Sequence, residues 1–448
     1  MHRWKLVIIF AFLAHLPVSA EQWQARNAAE VAAAAHQAAP GDVIVLTNGR
    51  WEDQYLRFEA RGTPQAPVTL RAQTPGQVFL TGSSRLDIAG PWLVAQGLRF
   101  ESGALQHGQN IIRFTDKSSH SQLTESAIIN YNPPDRSTRY FWVALYGDHN
   151  TVDHSLFQGQ DHSGVTLAVV HKNDKIDAHT IKWNYFLDHK PGDGNGFETI
   201  RIGTSDSSQS RSETTIQHNL FERTDGEIEI ISIKSGGNTI AFNTFRQAAG
   251  TVTLRHGSNN RIVGNYFLGD HIKGSGGIRI MGDGHTVENN VLQNLQGLVG
   301  GAIVFYCSQP DAAIDENPLI TNVKVRGNSI VNSQTPAFNF DAGCGTLRRS
   351  VLPEAVAIEN NTVIESRSDF SHGIMGPHWT LQDNIYIGKP DAHLPAAGVT
   401  RGDTNLKITS AGVPGIPGKS MQAPLTSCDV GPSWMRHCSP SSGRSRGD

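Results

Sequence analysis

A short triplet led by asparagine recurs along the chain between residues 184 and 386, and it constrains the fold more than any other feature of the sequence. Successive copies lie 35, 24, 22, 25, 38, 33 and 23 residues apart, and Ser155-Leu156-Phe157 is an earlier, degenerate copy. The eight copies begin at Asn184, Asn219, Asn243, Asn265, Asn290, Asn328, Asn361 and Asn384. A base period near 22 to 25 residues with insertions is typical of a solenoid, whose units bury their apolar faces by stacking on their neighbours.

The residues between the triplets favour one kind of solenoid. They read as short strands punctuated by Gly, Asn and Asp, and no helical segment interrupts the repeat. We therefore predict an all-β fold, a right-handed, single-stranded parallel β-helix with apolar side chains stacked inside. The Ala-rich residues 25–38, followed by Pro40 and Gly41, predict a helix that caps the N-terminal end. The recurrent Asn is expected to form a ladder of side-chain hydrogen bonds between coils.

Composition excludes several other classes of protein. Only 18% of the 448 residues are charged and 45 are Gly, which excludes a coiled coil and a charge-driven disordered chain. The 38 basic and 41 acidic residues provide no global basic field to recruit nucleic acid, so an acidic ligand must meet a local cationic cluster. The four Cys form at most two disulfides, and no Cys-x-x-Cys spacing indicates zinc.

The two ends of the chain are expected to lie outside the folded domain. Residues 1–20 combine two basic residues, a mostly apolar run and small residues at a cleavage site, which is typical of a secretory signal peptide. The run is shorter than the roughly 20 apolar residues that cross a bilayer, and no other segment is a spanning candidate. We predict a secreted or periplasmic protein with one β-helix domain over 21–438 and a disordered tail over 439–448. Export makes a disulfide between Cys428 and Cys438 reasonable, although sequence does not fix the pairing.

Two neighbouring carboxylates stand on one wall of the predicted coil. Glu227 and Glu229 are two residues apart, so they point to the same side of a strand, outward if Ile228 and Ile230 point inward. Such acids, about 7 Å apart, repel each other unless water screens them or a cation bridges them, and hard oxygen ligands suit calcium. A solvated strand face is the simpler interpretation.

The adjoining coils add an amide and two cations to the same wall. Asn195 has the parity that would bring its amide oxygen beside the two Glu, and Arg255 stands on the coil after them. Lys234 lies five residues beyond Glu229, so a turn or β-bulge is expected to re-aim it. Any one of these cations alone would be interpreted as surface charge, whereas the combined set favours a site.

The tract Glu227-Ile-Glu229-Ile-Ile-Ser-Ile-Lys234, followed 21 residues after the Lys by Arg255, resembles the active-site signature of polysaccharide lyase family 6. That family contains alginate lyases and chondroitinase B. The resemblance extends to residues 195–203 and 40–44, and so covers most of the chain. It implies a parallel β-helix catalytic domain, a Ca²⁺ ion at Asn195, Glu227 and Glu229, and β-elimination of a uronate polymer, with Lys234 as base and Arg255 as acid.

The chemistry of elimination is consistent with these residue types. The C5 proton of a uronate is weakly acidic because the neighbouring carboxylate is already negative, so charge neutralisation by Ca²⁺ comes first. Lys234 must be neutral to accept that proton, and nearby Ca²⁺ and Arg255 favour its uncharged form. A guanidinium is a reluctant proton donor, so water or His256 are alternatives to Arg255. Arg201 and Arg279 have outward parity and are candidates for binding neighbouring uronate carboxylates, weighed evenly against surface charge. His256, which adjoins Arg255, is a further candidate for binding the substrate.

We therefore predict an alginate lyase that yields 4,5-unsaturated oligosaccharides. The alternatives are a chondroitin or dermatan sulfate lyase of the same family, a C5-epimerase, a glycoside hydrolase that uses the two Glu, and a non-catalytic glycan-binding β-helix. Specificity is expected to reside in the loops over 309–322 and 367–378. The oligomeric state stays open, and His285 is interpreted as a turn or surface residue.

Overall fold

A computed structural model describes residues 20–172, 175–366, 368–402, 422–436 and 438. Residues 1–19 of the predicted signal peptide and the tail predicted over 439–448 lie outside the described residues. Within the described ranges, no helix has the length and apolar character needed to cross a bilayer.

The described strands form three long parallel sheets of 14, 12 and 14 strands, here named sheets 1, 2 and 3. Each coil contributes one strand to each sheet in turn, and each strand pairs in parallel with its counterparts on adjoining coils. The buried apolar residues form a continuous core inside the three sheets. The predicted parallel β-helix is confirmed.

Sheet 1 consists of Gln22–Ala25, Val43–Leu46, Val68–Ala72, Leu93–Gln96, Gln122–Thr124, Thr151–Asp153, Thr180–Lys182, Thr215–Gln217, Thr239–Ala241, Arg261–Val263, Thr286–Glu288, Val323–Arg326, Val356–Glu359 and Thr380–Gln382. Sheet 2 consists of Tyr55–Glu59, Arg85–Ala89, Asn110–Phe114, Phe141–Leu145, Leu167–Val169, Ile200–Ile202, Glu229–Lys234, Gly250–His256, Ser275–Ile280, Ile303–Tyr306, Phe338–Ala342 and Ser371–His372. Sheet 3 consists of Gly49–Glu52, Val78–Gly82, Arg99–Gly103, Ala127–Ile129, Leu156–Gln158, Tyr185–His189, Leu220–Thr224, Thr244–Arg246, Tyr266–Leu268, Val291–Gln293, Ser329–Val331, Thr362–Ser366, Asn384–Gly388 and Val399–Arg401.

One α-helix, Ala28–Gln37, stands at the N-terminal end of the coil, and 3₁₀ turns occur at Ser205–Ser207 and Ser433–Met435. The side chain of Asn27 caps the α-helix by accepting a hydrogen bond from the backbone N–H of Glu30, at 2.9 Å. Its buried residues, among them Val31, belong to the apolar core of the coil. The predicted capping helix is therefore present, although it begins three residues later than the sequence pattern suggested.

The triplet asparagines form a continuous hydrogen-bonded ladder. All eight are fully buried. In each link the Oδ1 atom of one Asn accepts hydrogen bonds from the backbone N–H and the Nδ2 of the Asn on the preceding coil, as between Asn184 and Asn219 at 2.9 and 3.0 Å. Beside the ladder, the rings of five phenylalanines stack inside the coil with centroids 4.7 to 5.1 Å apart: Phe157, Phe186, Phe221, Phe245 and Phe267. The predicted ladder is confirmed.

A second ladder runs along another turn and includes His285. Asn238 and Asn260 are its middle members, and His285 Nδ1 accepts the backbone N–H of Asn260 at 3.1 Å. Of the two alternatives for His285, a turn or a surface residue, the second is wrong, because its side chain is fully buried and its ring nitrogens bond to backbone groups along this turn. Burial lowers the pKa of His285 to about 4, so the ring is neutral at neutral pH.

The segment over residues 422–436, here named the C-terminal strap, lies on the outside of the coil. It runs along sheet 3 between two well-separated coils: the carbonyl of Gln422 accepts a hydrogen bond from Tyr266 Oη, and Ser433 donates to the carboxylate of Glu125. The disulfide Cys428–Cys438 closes the strap, and a second disulfide joins Cys307 to Cys344.

Candidate active site

Six of the eight residues predicted to form a site line one open groove of about 590 Å³ on the outer face of sheet 2. They come from neighbouring coils, which the parallel stacking brings side by side. Arg201 and His256 are absent from the groove lining. The lining residues are Gly192, Gly194, Asn195, Ser205, Gly226, Glu227, Ile228, Glu229, Lys234, Arg255 and Arg279.

A β-bulge explains how Glu229 and Lys234 share this face although they are five residues apart. The pairing register with the next strand shifts between Glu229 and Ile231, and both Ile230 and Ile231 are buried in the core. The extra inward residue reverses the alternation, so that Lys234 returns to the side of Glu229. A second register shift occurs just before Lys234, in its pairing with the strand that carries Arg255.

The expected parity fails at one residue, Ile228. Its side chain is 41% exposed and lines the groove, whereas the alternating pattern predicted that it points into the core. The strand begins only at Glu229, and residues 226–228 form a bend before it. Glu227 therefore reaches the groove from a bend and not from a regular strand.

Three carboxylates concentrate negative charge at one end of the groove. Glu227 accepts a hydrogen bond from the backbone N–H of Gly196 at 3.0 Å, and burial, followed by the charges of Glu198 and Glu229, raises its pKa to about 7. Glu229 is 7% exposed, and its Oε1 lies 3.3 Å from Nη2 of Arg279. Sequence reasoning missed Glu198, which is buried and lies three residues after Asn195.

Lys234 and Arg255 stand beside these acids. No described side chain forms a hydrogen bond or ion pair with the Lys234 ammonium. Arg255 approaches the backbone carbonyls of Asp315 and Glu316, at 3.4 and 3.5 Å, which belong to the loop over 309–322. Burial lowers the pKa of Arg255, although the nearby Glu229 opposes that change. The loop that was expected to govern specificity thus contacts a groove residue directly.

His256 and Arg201 lie behind the groove. His256 is 1% exposed and faces a separate cavity of about 310 Å³ under residues 312–319. Burial and the charges of Arg255 and Lys234 lower the pKa of His256 to about 3. The ring is therefore a neutral imidazole at neutral pH and not an imidazolium acid. Arg201 lies between Glu198, 3.9 Å away, and the ring of Phe141. The predicted binding of uronate by these two residues stays a prediction.

An arginine cluster extends the groove on its other side. The guanidinium of Arg279 lies 4.8 Å from the ring centroid of Tyr306, and that of Arg349 lies 5.5 Å from the same ring. The disulfide Cys307–Cys344 joins the residue after Tyr306 to the loop that carries Arg349. Sequence reasoning missed Tyr306 and Arg349 because this proximity depends on the fold and on a disulfide whose pairing the sequence left open.

The donor set of the groove suits a hard divalent cation. Asn195, Glu227 and Glu229 offer only oxygen atoms as metal ligands, and the two neighbouring carboxylates bring negative charge that a cation would neutralise. Among the described residues, another group of potential ligands, His120, Asp148 and His149, has its ligand atoms within 4.8 Å of one another but lies outside the groove. The residues of the groove therefore fit calcium by their chemistry.

Comparison with known proteins places the chain in a family. The family model described as Chondroitinase B matches residues 25–367. The structure of the PL6 family alginate lyase AlyGC matches with a TM-score of 0.87 and 33% identity, over 95% of this chain and 60% of that chain. The chain belongs to polysaccharide lyase family 6, a family of carbohydrate-cleaving lyases. It spans about three fifths of the length of AlyGC.

Two further structures match most of both chains. A mannuronic acid specific family 6 lyase from human gut microbiota has a TM-score of 0.78 and 27% identity, over 86% of this chain and 91% of that chain. A family 6 lyase from Pseudopedobacter saltans has a TM-score of 0.78 and 28% identity, over 92% and 99%. A search of curated proteins found no significant match.

Proposed function

We propose that this protein is a secreted or periplasmic lyase that cleaves alginate by calcium-assisted β-elimination and releases 4,5-unsaturated oligosaccharides. The observation that carries the proposal is the convergence of Asn195, Glu227, Glu229, Lys234 and Arg255 on one groove of a family 6 fold. Alginate is favoured because matching structures are described as alginate lyases, among them complexes with a trisaccharide and with an oligosaccharide named G6. Export is supported by the apolar N-terminal run alone.

The residues of the groove have complementary roles in elimination. A Ca²⁺ ion held by Asn195, Glu227 and Glu229 would neutralise the substrate carboxylate and so acidify the C5 proton. Lys234, whose ammonium has no described partner, acts as the base: the ammonium proton passes to water in the open groove, and the neutral Nζ atom then accepts the C5 proton. The electron pair of the C5–H bond forms the C4=C5 double bond while the C4–O bond breaks. The departing oxygen takes a proton from Arg255 or from water.

Ultraviolet absorbance of the new double bond tests the proposal. The purified protein is incubated with alginate, dermatan sulfate or polygalacturonate, with and without chelator, and Lys234→Ala is compared with Lys324→Ala, an exposed lysine of sheet 1. A rise on alginate that is lost in Lys234→Ala and with chelator, but kept in Lys324→Ala, is expected. Reducing ends without absorbance would indicate hydrolysis, and no product from any polymer would indicate a binding protein.

A chondroitin or dermatan sulfate lyase is the second candidate. The family model that matches residues 25–367 carries the description Chondroitinase B, and sulfated uronate polymers present the same C5 proton and carboxylate. Absorbance that rises on dermatan sulfate and not on alginate would favour this candidate while leaving the groove chemistry unchanged.

A further inference from the structure

Glu198 is a buried carboxylate that the proposed mechanism does not use. Its side chain is 1% exposed, and among the described residues its Oε2 atom has no hydrogen-bond partner. Its Oε1 atom lies 3.9 Å from Nη1 of Arg201, which is long for a hydrogen bond. A buried carboxylate is costly unless hydrogen bonds or opposite charge compensate it, so Glu198 lacks a sufficient partner in the protein itself.

The backbone fixes Glu198 next to the acids of the groove. The N–H of Gly196, two residues earlier, donates to Oε2 of Glu227 at 3.0 Å. The carbonyl of Phe197 packs against Gly226 so closely that a Cβ there would lie 2.1 Å from it. The segment that carries Glu198 and the bend that carries Glu227 are therefore locked together, and the charge of Glu198 acts strongly on Glu227.

The positive charge of Arg201 does not balance this arrangement. Arg201 is itself buried, and its Nε atom has no hydrogen-bond partner among the described residues. Other cations lie nearby but form no ion pair with Glu198: Arg279 pairs with Glu229 at 3.3 Å, Arg139 lies beside Gly196, and Lys234 and Arg255 line the groove. Among the described residues, Arg201 is thus the one basic side chain that approaches Glu198 within 4.0 Å, and at 3.9 Å that contact is long, so this buried carboxylate has no close counter-charge.

We propose that Glu198 is a charge partner of the cation site, a positioning residue that strengthens calcium binding by Asn195, Glu227 and Glu229 from behind. This inference rests on the proposed function, because it takes the cation from there. The described carboxylates Glu198, Glu227 and Glu229 are not gathered within 4.8 Å of one another, so Glu198 acts through its charge and not as a direct ligand. Calcium affinity rises with the negative charge that surrounds the ion.

Calorimetric titration of Ca²⁺ into the chelator-treated full chain tests this role. Glu198→Gln keeps the shape of the side chain and removes its charge, and we expect it to weaken calcium binding about tenfold or more. The matched control is Glu288→Gln on sheet 1, which removes an equally charged carboxylate that is 9% exposed and far from the groove lining. Glu288→Gln is expected to bind calcium like the wild type.

The outcomes separate this inference from the proposed function. Equal calcium affinity in wild type and Glu198→Gln overturns the role of Glu198 and leaves the proposed cation in place. Absence of calcium binding in the wild type overturns the cation and Glu198 together. If Glu198→Gln does not fold, Glu198→Asp, which keeps the charge, is expected to bind within about threefold of wild type. A tenfold loss in Glu198→Asp would contradict a role that depends on charge alone.

Discussion

Replacing Asn265 with Ala removes one rung from the middle of the asparagine ladder. Its Oδ1 atom accepts hydrogen bonds from the backbone N–H and Nδ2 of Asn243, at 2.9 and 3.0 Å. Its Nδ2 atom donates to the carbonyl of Ile240 at 2.9 Å and to Oδ1 of Asn290 at 3.0 Å. All of these groups are buried, so water cannot replace the missing amide.

The cost follows from the groups left behind. The backbone N–H of Asn243 loses its acceptor in the interior, which costs about 1–3 kcal/mol, and each further lost hydrogen bond adds about 1 kcal/mol. Three further hydrogen bonds are lost, so we expect Asn265→Ala to lower the free energy of unfolding by about 4–6 kcal/mol. The exposed Asn48, which bonds to Thr74 at the surface, is the control, and Asn48→Ala is expected to cost less than about 1 kcal/mol.

Urea denaturation followed by far-ultraviolet circular dichroism measures both variants. The wild type and the two variants are compared at one pH and one calcium concentration, because ligand binding shifts apparent stability. An Asn265→Ala protein whose free energy of unfolding lies within about 1 kcal/mol of that of Asn48→Ala would refute the reasoning, since the ladder would then contribute no more than an exposed amide.

Three further predictions concern pH, redox state and processing. The pKa of His285 is about 4 in the fold and about 6.5 in the unfolded chain, so the unfolded chain binds more protons below pH 6.5. The stability that is present above that pH is therefore lost as the pH falls towards 4. In acid denaturation, His285→Asn should reduce this loss of unfolding free energy at pH 5 by about 2 kcal/mol. Reducing Cys307–Cys344 should free the adjoining arginine loop and raise KM for polyuronate more than it changes kcat; an unchanged KM after reduction would contradict this. Mass spectrometry of the exported protein should place its N-terminus at Glu21. The backbone nitrogen of Glu21 donates to Asp42 at 2.8 Å, so the α-ammonium that cleavage creates would gain an ion pair with Asp42. Cleavage elsewhere would contradict the prediction.

The amino-acid sequence suffices to predict the features that repeat. The Asn triplet recurs on every coil from Asn184 onward, so its spacing predicts a solenoid and the ladder, and the short strands between the triplets predict a β-helix. The shared outward wall of Glu229 and Arg255 follows from strand parity and coil order, whereas Asn195 and Glu227 reach the same groove from bends. These predictions succeed because neighbouring coils impose the same local environment on corresponding residues.

The features that interrupt the repeat could not be predicted in this way. The bend over residues 226–228 interrupts the alternation that placed Ile228 in the core, and a hydrophobic pattern does not encode where such a bend gives way to the strand. Tyr306 and Arg349 come together because the chain between them folds back on itself and the disulfide Cys307–Cys344 joins the two segments that carry them. Glu198 was overlooked because its burial without a hydrogen-bond partner is visible only in three dimensions.

The C-terminal strap changes how the solenoid can unfold. In a stack whose coils contact only their neighbours, unfolding can begin at an open end and stop at any coil. The strap joins Glu125 to Tyr266 across the coils between them, and those coils include the ones that carry Asn195, Glu227 and Lys234. Fraying therefore has to release the strap before it can open the coils that carry Asn195, Glu227 and Lys234, and this part of the groove is lost or kept as one cooperative block.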